Sequence, residues 1–286
     1  MDQSVNYMQK LRAFPGAALA KTVSAPFDRM KIFYQVYSHH YLKSSERMTL
    51  RRCLTELHSE GGFLGLFRGN GINVLKSMPE AAIKLECNKW IRQNFKNGNE
   101  NLPIYKEILA GASSGLLAQS AVYPLDTLKV RIALSRTNEY KNSFDAIRQI
   151  YNEPTKRPLQ ICNFYRGFFS SLGVIVYVAT ELTAYNSLSA KFKKSCDQYK
   201  INSAFASGAS SFLAPAAGTI ISYPLQLIRT KYQSDKRPKA GYLQFCQYTY
   251  QNYGFRGFFT GIVPNLFKSV ISGSIILGWW SFVNKD

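Results

Sequence analysis

One six-residue pattern, met three times, constrains this chain more than anything else in it. Pro26-Phe27-Asp28-Arg29-Met30-Lys31 returns as Pro124-Leu125-Asp126-Thr127-Leu128-Lys129 and again as Pro224-Leu225-Gln226-Leu227-Ile228-Arg229. The copies lie roughly a hundred residues apart, and an internal period decides architecture before any other signal. Each copy closes an apolar run rich in small residues, at Ala17 to Ala20, Gly115 to Ala118 and Ala216 to Ile221. A lone proline followed by an acid and a base is common on surface helices. Three copies filling 286 residues point to one body built three times, with repeats at approximately 1–99, 100–198 and 199–286.

A net charge of +19 asks for an anionic partner, whether nucleic acid, an anionic lipid surface or an anionic solute. A nucleic-acid binder needs a basic face with reading or stacking elements. Here the bases sit inside apolar segments, so no nucleic-acid partner is expected. Cys53, Cys87, Cys162, Cys196 and Cys246 form neither a CxxC nor a Cys/His pattern, which speaks against a metal site or a disulfide framework. Met1 to Arg12 has neither the layout of a signal peptide nor the Arg- and Ser-rich character of a presequence, so any targeting signal is expected to be internal.

Mean hydropathy is slightly negative, and no run of about 18 uninterrupted apolar residues exists to mark a simple span. Instead there are six long segments of low charge, near 10–37, 71–95, 104–134, 168–194, 202–232 and 262–283. At about 1.5 Å per residue, each is long enough as a helix to span a hydrocarbon core of roughly 30 Å. Charges at that depth face a bundle interior or a water-filled cavity. A soluble helical solenoid is the competing architecture, but its repeats are much shorter than these.

Between odd and even segments, Leu50 to Ser59, Ser143 to Asn152 and Tyr242 to Asn252 read as short surface helices. Each leads to an aromatic-base-glycine signal or its relic: Phe67-Arg68-Gly69, Tyr165-Arg166-Gly167 and Phe259-Thr260-Gly261. Glycine at a helix start lets backbone amides approach a phosphate, which the helix N-terminus attracts further. Arg68, Gly69, Arg166, Gly167 and Gly261 are therefore candidate ligands for anionic-lipid headgroups.

The threefold Pro-x-acid-x-x-base pattern, with Glu60-Gly61 to Gly69 following its first copy, resembles the mitochondrial carrier family over essentially the whole chain. That resemblance implies an all-α membrane protein, a six-transmembrane-helix barrel with threefold pseudosymmetry and short surface helices on the matrix side. It also implies both termini on the cytosolic side of the inner mitochondrial membrane, and solute transport by alternating access. A monomer, a bound anionic lipid such as cardiolipin, no cofactor and no enzymatic activity go with it.

Proline bends a helix by removing an amide, and the family's motif brings the ends of the odd helices together. The acid of one repeat then pairs with the base of the next, closing a matrix gate. The pairs expected here are Asp28 with Lys129, Asp126 with Arg229, and Gln226 with Lys31. The third departs from the pattern, since Gln226 is neutral. Gln35 and Gln233, each one turn beyond a gate base, are expected to brace the ring.

On the cytosolic side the family carries an aromatic-acid-x-x-base motif on each even helix. The matching windows here, Asn88 to Arg92, Tyr185 to Ser189 and Trp280 to Asn284, retain no acid, and only Arg92 retains a base. Repeat two has Glu153-Pro154 in place of Glu-Gly, with an insertion running through Cys162. In repeat three Tyr253-Gly254 lacks the acid, and Thr260 replaces the base.

Thirteen residues before the lost acid position stand Lys76, Gly173 and Lys268. Base, glycine-aliphatic, base is the pattern of carriers for adenine nucleotides, and Lys76, Gly173-Val174 and Lys268 fit it. Counting forward from Gly167 lands one residue later, on Val174. Arg68 to Lys84, RGNGINVLKSMPEAAIK, is similar to the ATP-Mg/phosphate carriers. Ala25 to Val36 is similar both to those and to the coenzyme A carriers. Glu80, Lys84 and Glu181 join the expected solute contacts. No EF-hand segment precedes the first repeat, so calcium regulation of the usual kind is not expected. The alternative function is a carrier-fold receptor or scaffold without transport, which the missing cytosolic motifs and Gln226 favour.

Gln226→Glu is expected to restore a third ionic link, slowing turnover or raising thermal stability. An exposed pair contributes about 0.2–1 kcal/mol, and partial burial raises this. Liposome turnover and thermal unfolding check it; if neither moves, Gln226 does not sit in a ring facing Lys31.

Overall fold

The computed structural model describes residues 15–41, 49–96, 102–136, 139–154, 159–199, 203–234 and 241–283. Those residues are mostly helical, and no strand occurs among them. The expected segments appear as long helices. The first is α1 (residues 15–23), separated by a turn at Ser24 from α2 (Ala25–Tyr41). The others are α5 (Asn70–Lys96), α6 (Ile104–Leu134), α8 (Gly173–Tyr199), α9 (Ser203–Ser234) and α11 (Ile262–Val283). Residues 10–14 and 202 of the expected segments lie outside the described residues, as do the termini Met1 and Asp286.

Motif prolines do not end these helices. α6 runs through Pro124 and α9 through both Pro215 and Pro224, while the first repeat breaks two residues before Pro26. Proline inside a long apolar helix is tolerated where neighbouring groups re-satisfy the freed carbonyls.

Three short helices stand where the amphipathic pattern put them: α3 (Leu50–Ser59), α7 (Ser143–Tyr151) and α10 (Tyr242–Tyr253). A further single turn, α4 (Gly62–Gly65), follows α3. Thr49 and Asn142 cap α3 and α7, accepting from the amides of Arg52 at 3.2 Å and Asp145 at 2.8 Å. Such caps contribute about 1 kcal/mol each. Gly241 has no side chain to offer, and its own amide donates to Gln244 Oε1 at 3.1 Å instead.

The chain divides into two compact units. The first comprises residues 1–79, 122–167 and 227–286, the second residues 80–121 and 168–226. In the first, α3 buries Cys53 and Leu57 against Met30 and Phe33 of α2. α7 buries Ala146 and Ile150 against Ile72, Leu128 and Phe164. α10 differs: Tyr242 stacks on Tyr232 at 4.4 Å between ring centroids, and only Thr249 is fully buried. In the second unit close helix contact is made over glycines. A Cβ on Gly115 would come within 2.9 Å of Val174, and one on Gly173 within 2.9 Å of Leu225. Small residues at such points let backbones approach where no hydrophobic effect drives helices together.

Large apolar side chains point outward from the long helices, among them Leu75, Trp90, Leu117, Phe212, Ile221 and Phe267. Charged groups such as Asp28, Arg29, Lys76 and Asp126 are the ones buried. That inversion suits a hydrocarbon surround. Among the described residues, three stretches are long and apolar enough by length and composition to cross a membrane: Phe168–Lys193, Gly208–Ser234 and Phe255–Ile276.

Burial pushes the Cys53 thiol on α3 up to about 12, so it stays protonated at a pH where an unfolded cysteine ionises. Its contribution to stability is intact below about pH 8.5 and falls as pH rises toward the folded value. Maleimide labelling at pH 8 is expected to modify the half-buried Cys162 and Cys246 well before Cys53. Equal rates would show that α3 does not pack on α2.

Candidate functional site

Two buried carboxylates organise the charged interior of the first unit, and each holds two cations. Asp28 on α2 pairs through Oδ2 with Lys129 of α6 and through Oδ1 with Lys268 of α11, the latter at 2.6 Å. Asp126 on α6 pairs through Oδ1 with Lys76 of α5 at 2.5 Å and through Oδ2 with Arg229 of α9 at 2.5 Å. Both carboxylates are only 6% exposed. A carboxylate at such depth is tolerable only when paired and hydrogen-bonded, and its two oxygens offer room for two donors.

Two further side chains complete these pairs. Asn73, one turn before Lys76 on the same helix, accepts from Lys129 Nζ at 2.9 Å. The Arg229 guanidinium lies 4.9 Å from the centre of the Tyr123 ring, a cation–π contact. Lys31 lies in the same field, where the charges of Lys268, Asp28, Lys129 and Arg229 act on it. Five cations thus surround two anions.

Asp28–Lys129 and Asp126–Arg229 are two of the three pairs expected from the motif. Gln226, in the second unit, donates its Nε2 to Ser222 Oγ at 2.9 Å within α9. Gln35 and Gln233 are both buried. Lys76 and Lys268, expected as solute contacts, pair with the two motif carboxylates, Asp126 and Asp28. Lys268 and Asp28 are 240 residues apart in sequence, so no spacing along one helix announces the pair.

The other expected solute contacts lie in the second unit or at its edge. Glu181 has Lys84 and Tyr177 as its charged and polar neighbours. With Tyr185, Ser211, Ala214 and Pro215 it lines an open cavity of about 230 Å³. Lys84 is exposed, and Glu80 is half-buried. Gly173 packs on Leu225 and Val174 on Gly115, so the missing side chain of Gly173 serves helix contact rather than leaving a slot for a ring.

The winding at this position differs between repeats. Lys76 follows Asn70 by six α-helical steps, and Lys268 follows Ile262 likewise. In repeat two the same stretch, Phe168–Leu172, is a 3₁₀ helix. Five 3₁₀ steps of about 120° turn the chain by about 600°, as do six α steps of about 100°.

A second set of charges ties the surface segments to the odd helices, and it went unread in the sequence. Arg29, 2% exposed, donates to Gly65 O at 2.5 Å, to Ala133 O at 2.9 Å and to Glu60 at 3.2 Å. In repeat two Glu153 receives Arg131 at 3.2 Å and Arg166 at 2.7 Å, and Arg166 also donates to Asn163. Repeat three has no acid at Tyr253, and Lys231 lies 5.5 Å from the Phe245 ring instead. The signal was present in Glu60-Gly61 and Glu153-Pro154, but their partners are invisible without the fold.

The aromatic-base-glycine positions are similarly committed. Arg68 donates to Ser135 O at 2.9 Å, so neither it nor Arg166 reaches outward alone. Gly69, Gly167 and Gly261 have φ of 82°, 82° and 85°, a region that favours glycine. A Cβ on Gly69 would lie 3.1 Å from Lys129 O, and one on Gly167 3.2 Å from Arg229 O. Each of these two glycines thus sits against the backbone of the next repeat's gate base.

Long apolar-faced helices around a charged interior, with a motif that recurs three times, define a helical membrane protein of carrier type. The mitochondrial carrier protein family model matches residues 10–99, 100–195 and 201–285, and the chain belongs to that family. The family's members are transporters rather than enzymes, and the chain is a multi-pass protein of the inner mitochondrial membrane.

A Caenorhabditis elegans protein described as a probable calcium-binding mitochondrial carrier is 35% identical over 94% of this chain and 51% of its own length. A human mitochondrial adenyl nucleotide antiporter is 32% identical over 90% of this chain and 54% of its own. A bovine calcium-binding mitochondrial carrier protein shows the same identity and coverage. The chain spans about half the length of the curated relatives it matches.

Arg29→Gln would take a buried cation away from Glu60 and a donor away from each of two backbone carbonyls. Breaking a buried pair costs about 3–5 kcal/mol, so thermal unfolding in detergent should shift down by several degrees at least. An unchanged midpoint would mean that Arg29 does not tie α2 to the α3–α4 segment.

Proposed function

We propose that this protein carries an anionic, phosphate-bearing solute of adenine-nucleotide type across the inner mitochondrial membrane by alternating access, acting as a monomer. The observation that carries this is the surplus of cations around Asp28 and Asp126, with Lys76 and Lys268 among them. Ammonium groups bind phosphate oxygens as point charges, and two of them from different helices converge on a polyanion. The human relative is an adenyl nucleotide antiporter, which agrees with that chemistry. Coenzyme A, which joins an adenine nucleotide to a long acyl-carrying arm, is the other solute the same charges suit.

In this proposal the three repeats form a six-helix barrel with threefold pseudosymmetry. Asp28, Lys31, Asp126, Lys129, Gln226 and Arg229 close its matrix side, braced by Gln35 and Gln233. Lys76, Glu80, Lys84, Gly173, Val174, Glu181 and Lys268 meet the solute. The gate has two ionic links and one neutral position, so it opens at lower cost than a gate with three. Anionic lipid such as cardiolipin binds at the helix starts after Gly69, Gly167 and Gly261. Because Arg68 and Arg166 are spent on protein partners, the backbone amides supply most of that recognition.

A scaffold without transport is the second reading, favoured by Gln226 and by the missing cytosolic acids. Arg92, the one cytosolic base retained, pairs with Glu107 at 2.6 Å, so that side is not without ionic closure.

Lys76→Ala and Lys268→Ala should each reduce uptake of ADP or coenzyme A into liposomes by roughly tenfold to a hundredfold, since a charge-assisted hydrogen bond contributes about 1.5–3 kcal/mol. A thermal unfolding control separates this from misfolding. Wild-type transport by both variants would remove the nucleotide assignment, and absence of any uptake by the wild-type protein would favour the scaffold.

A further inference from the structure

Gly173 leaves no room for a ring: a Cβ there would already lie 2.9 Å from Leu225, and Val174 packs on Gly115. A solute that bears a base therefore needs another wall for it. About two turns further along α8 the second unit has one. Glu181, Leu182 and Tyr185 of α8 and Ser211, Ala214 and Pro215 of α9 line an open cavity of about 230 Å³. Glu181 and Tyr185 are four residues apart and so share a helix face. Sites for a whole drug-sized ligand usually offer about 300 Å³ or more. This cavity has the size for one ring of a solute rather than for all of it.

Its lining combines apolar walls with hydrogen-bond acceptors. Leu182, Ala214, Pro215 and the Tyr185 ring offer the surfaces on which a flat base packs. Glu181 has the charge of Lys84 beside it and, as a carboxylate, can only accept. Tyr177, one turn earlier on α8, donates its hydroxyl to Glu181. That tyrosine is itself packed on α9, where a Cβ on Gly218 would come within 3.1 Å of its ring. The contact fixes Tyr177 and, through it, the carboxylate, which keeps lone pairs for a donor in the cavity. On α9, Pro215 has no amide to give the carbonyl four residues earlier, that of Ser211. A second acceptor thus stands on the opposite wall.

A metal ion is a poor fit to this set. Lys84 already answers the one carboxylate, and no group of three or more His, Cys, Asp or Glu that could hold a metal occurs among the described residues. An uncharged donor on a flat ring suits it better.

We propose that this cavity is the base subsite, holding the adenine ring of the solute with Glu181 accepting from its exocyclic amino group. The proposal rests on the nucleotide-type solute given above, and it serves ADP and coenzyme A alike, since both carry that ring. Tyr177 is a positioning residue, acting through Glu181. A carboxylate that selects an amino group also rejects a carbonyl in the same place, because two acceptors face each other there. Hypoxanthine, the base of IDP, presents that carbonyl. Glutamine in place of Glu181 could donate to it.

The experiment is uptake of ADP and of IDP into liposomes by the full chain and its variants, with thermal unfolding as a folding control. The wild-type protein should favour ADP by about tenfold or more, the size of one charge-assisted hydrogen bond. Glu181→Gln should bring the ratio to one or below, by losing ADP uptake and gaining IDP uptake. Tyr177→Phe should shrink the preference without reversing it. An arm that needs no variant uses the dimethylamino analogue of ADP, whose exocyclic nitrogen carries no hydrogen; the wild-type protein should take it up about tenfold more slowly than ADP. An unchanged ratio in a folded Glu181→Gln that still takes up ADP would overturn the subsite and leave nucleotide transport standing. Equal loss of both nucleotides in that variant, or wild-type uptake of the dimethylamino analogue at the rate of ADP, would overturn it too. Absence of uptake of ADP, IDP and coenzyme A by the wild-type protein would fail the nucleotide reading itself, and the subsite with it.

Discussion

A carboxylate taken out of water costs several kcal/mol unless cations replace its hydration, and Asp28 and Asp126 are both nearly fully buried. Their presence dictates much of the interior. Each needs two donors, and those donors come from α5, α6, α9 and α11 rather than from its own helix. These helices are thereby fixed in register at one level. The same demand explains why so many positive charges can be gathered in a small volume: two anions partly neutralise five cations.

Threefold repetition is a scaffold on which the copies have diverged, and each departure has a local physical consequence. Repeat one ties its surface segment to α2 through Arg29 and Glu60. Repeat two uses a different basic position, Arg131, and recruits Arg166 to the same Glu153. Repeat three has given up both the acid at 253 and the acid at 226, and the region beside α10 is held by aromatic stacking and a cation–π contact. Charge is therefore concentrated in the first two repeats and polarisable aromatic surface in the third. Winding also varies: repeat two has a 3₁₀ turn at Phe168–Leu172, where repeats one and three are α-helical.

Much of this was legible in the residues alone. A period of about a hundred residues with six low-charge segments specifies helix number and order, because hydrophobic pattern and length are properties of a single stretch of chain. Surface helices were readable for the same reason, from the amphipathic pattern of each short stretch. Two of the motif's ion pairs, Asp28–Lys129 and Asp126–Arg229, were legible because the motif itself repeats, so each acid announces a base in the next copy.

Which cations share which carboxylate was decided only by tertiary structure. Lys268 and Asp28 sit at opposite ends of the chain, and nothing along α11 records that an acid on α2 will meet it. Nor could the sequence say that Gly173 is small because Leu225 presses on it, or that Gly69 and Gly167 are glycines because a neighbouring repeat's carbonyl lies against them. Periodicity and composition are one-dimensional and are set within a helix. Pairing of buried charges and close backbone contact are set between helices, and exist only once the helices are packed.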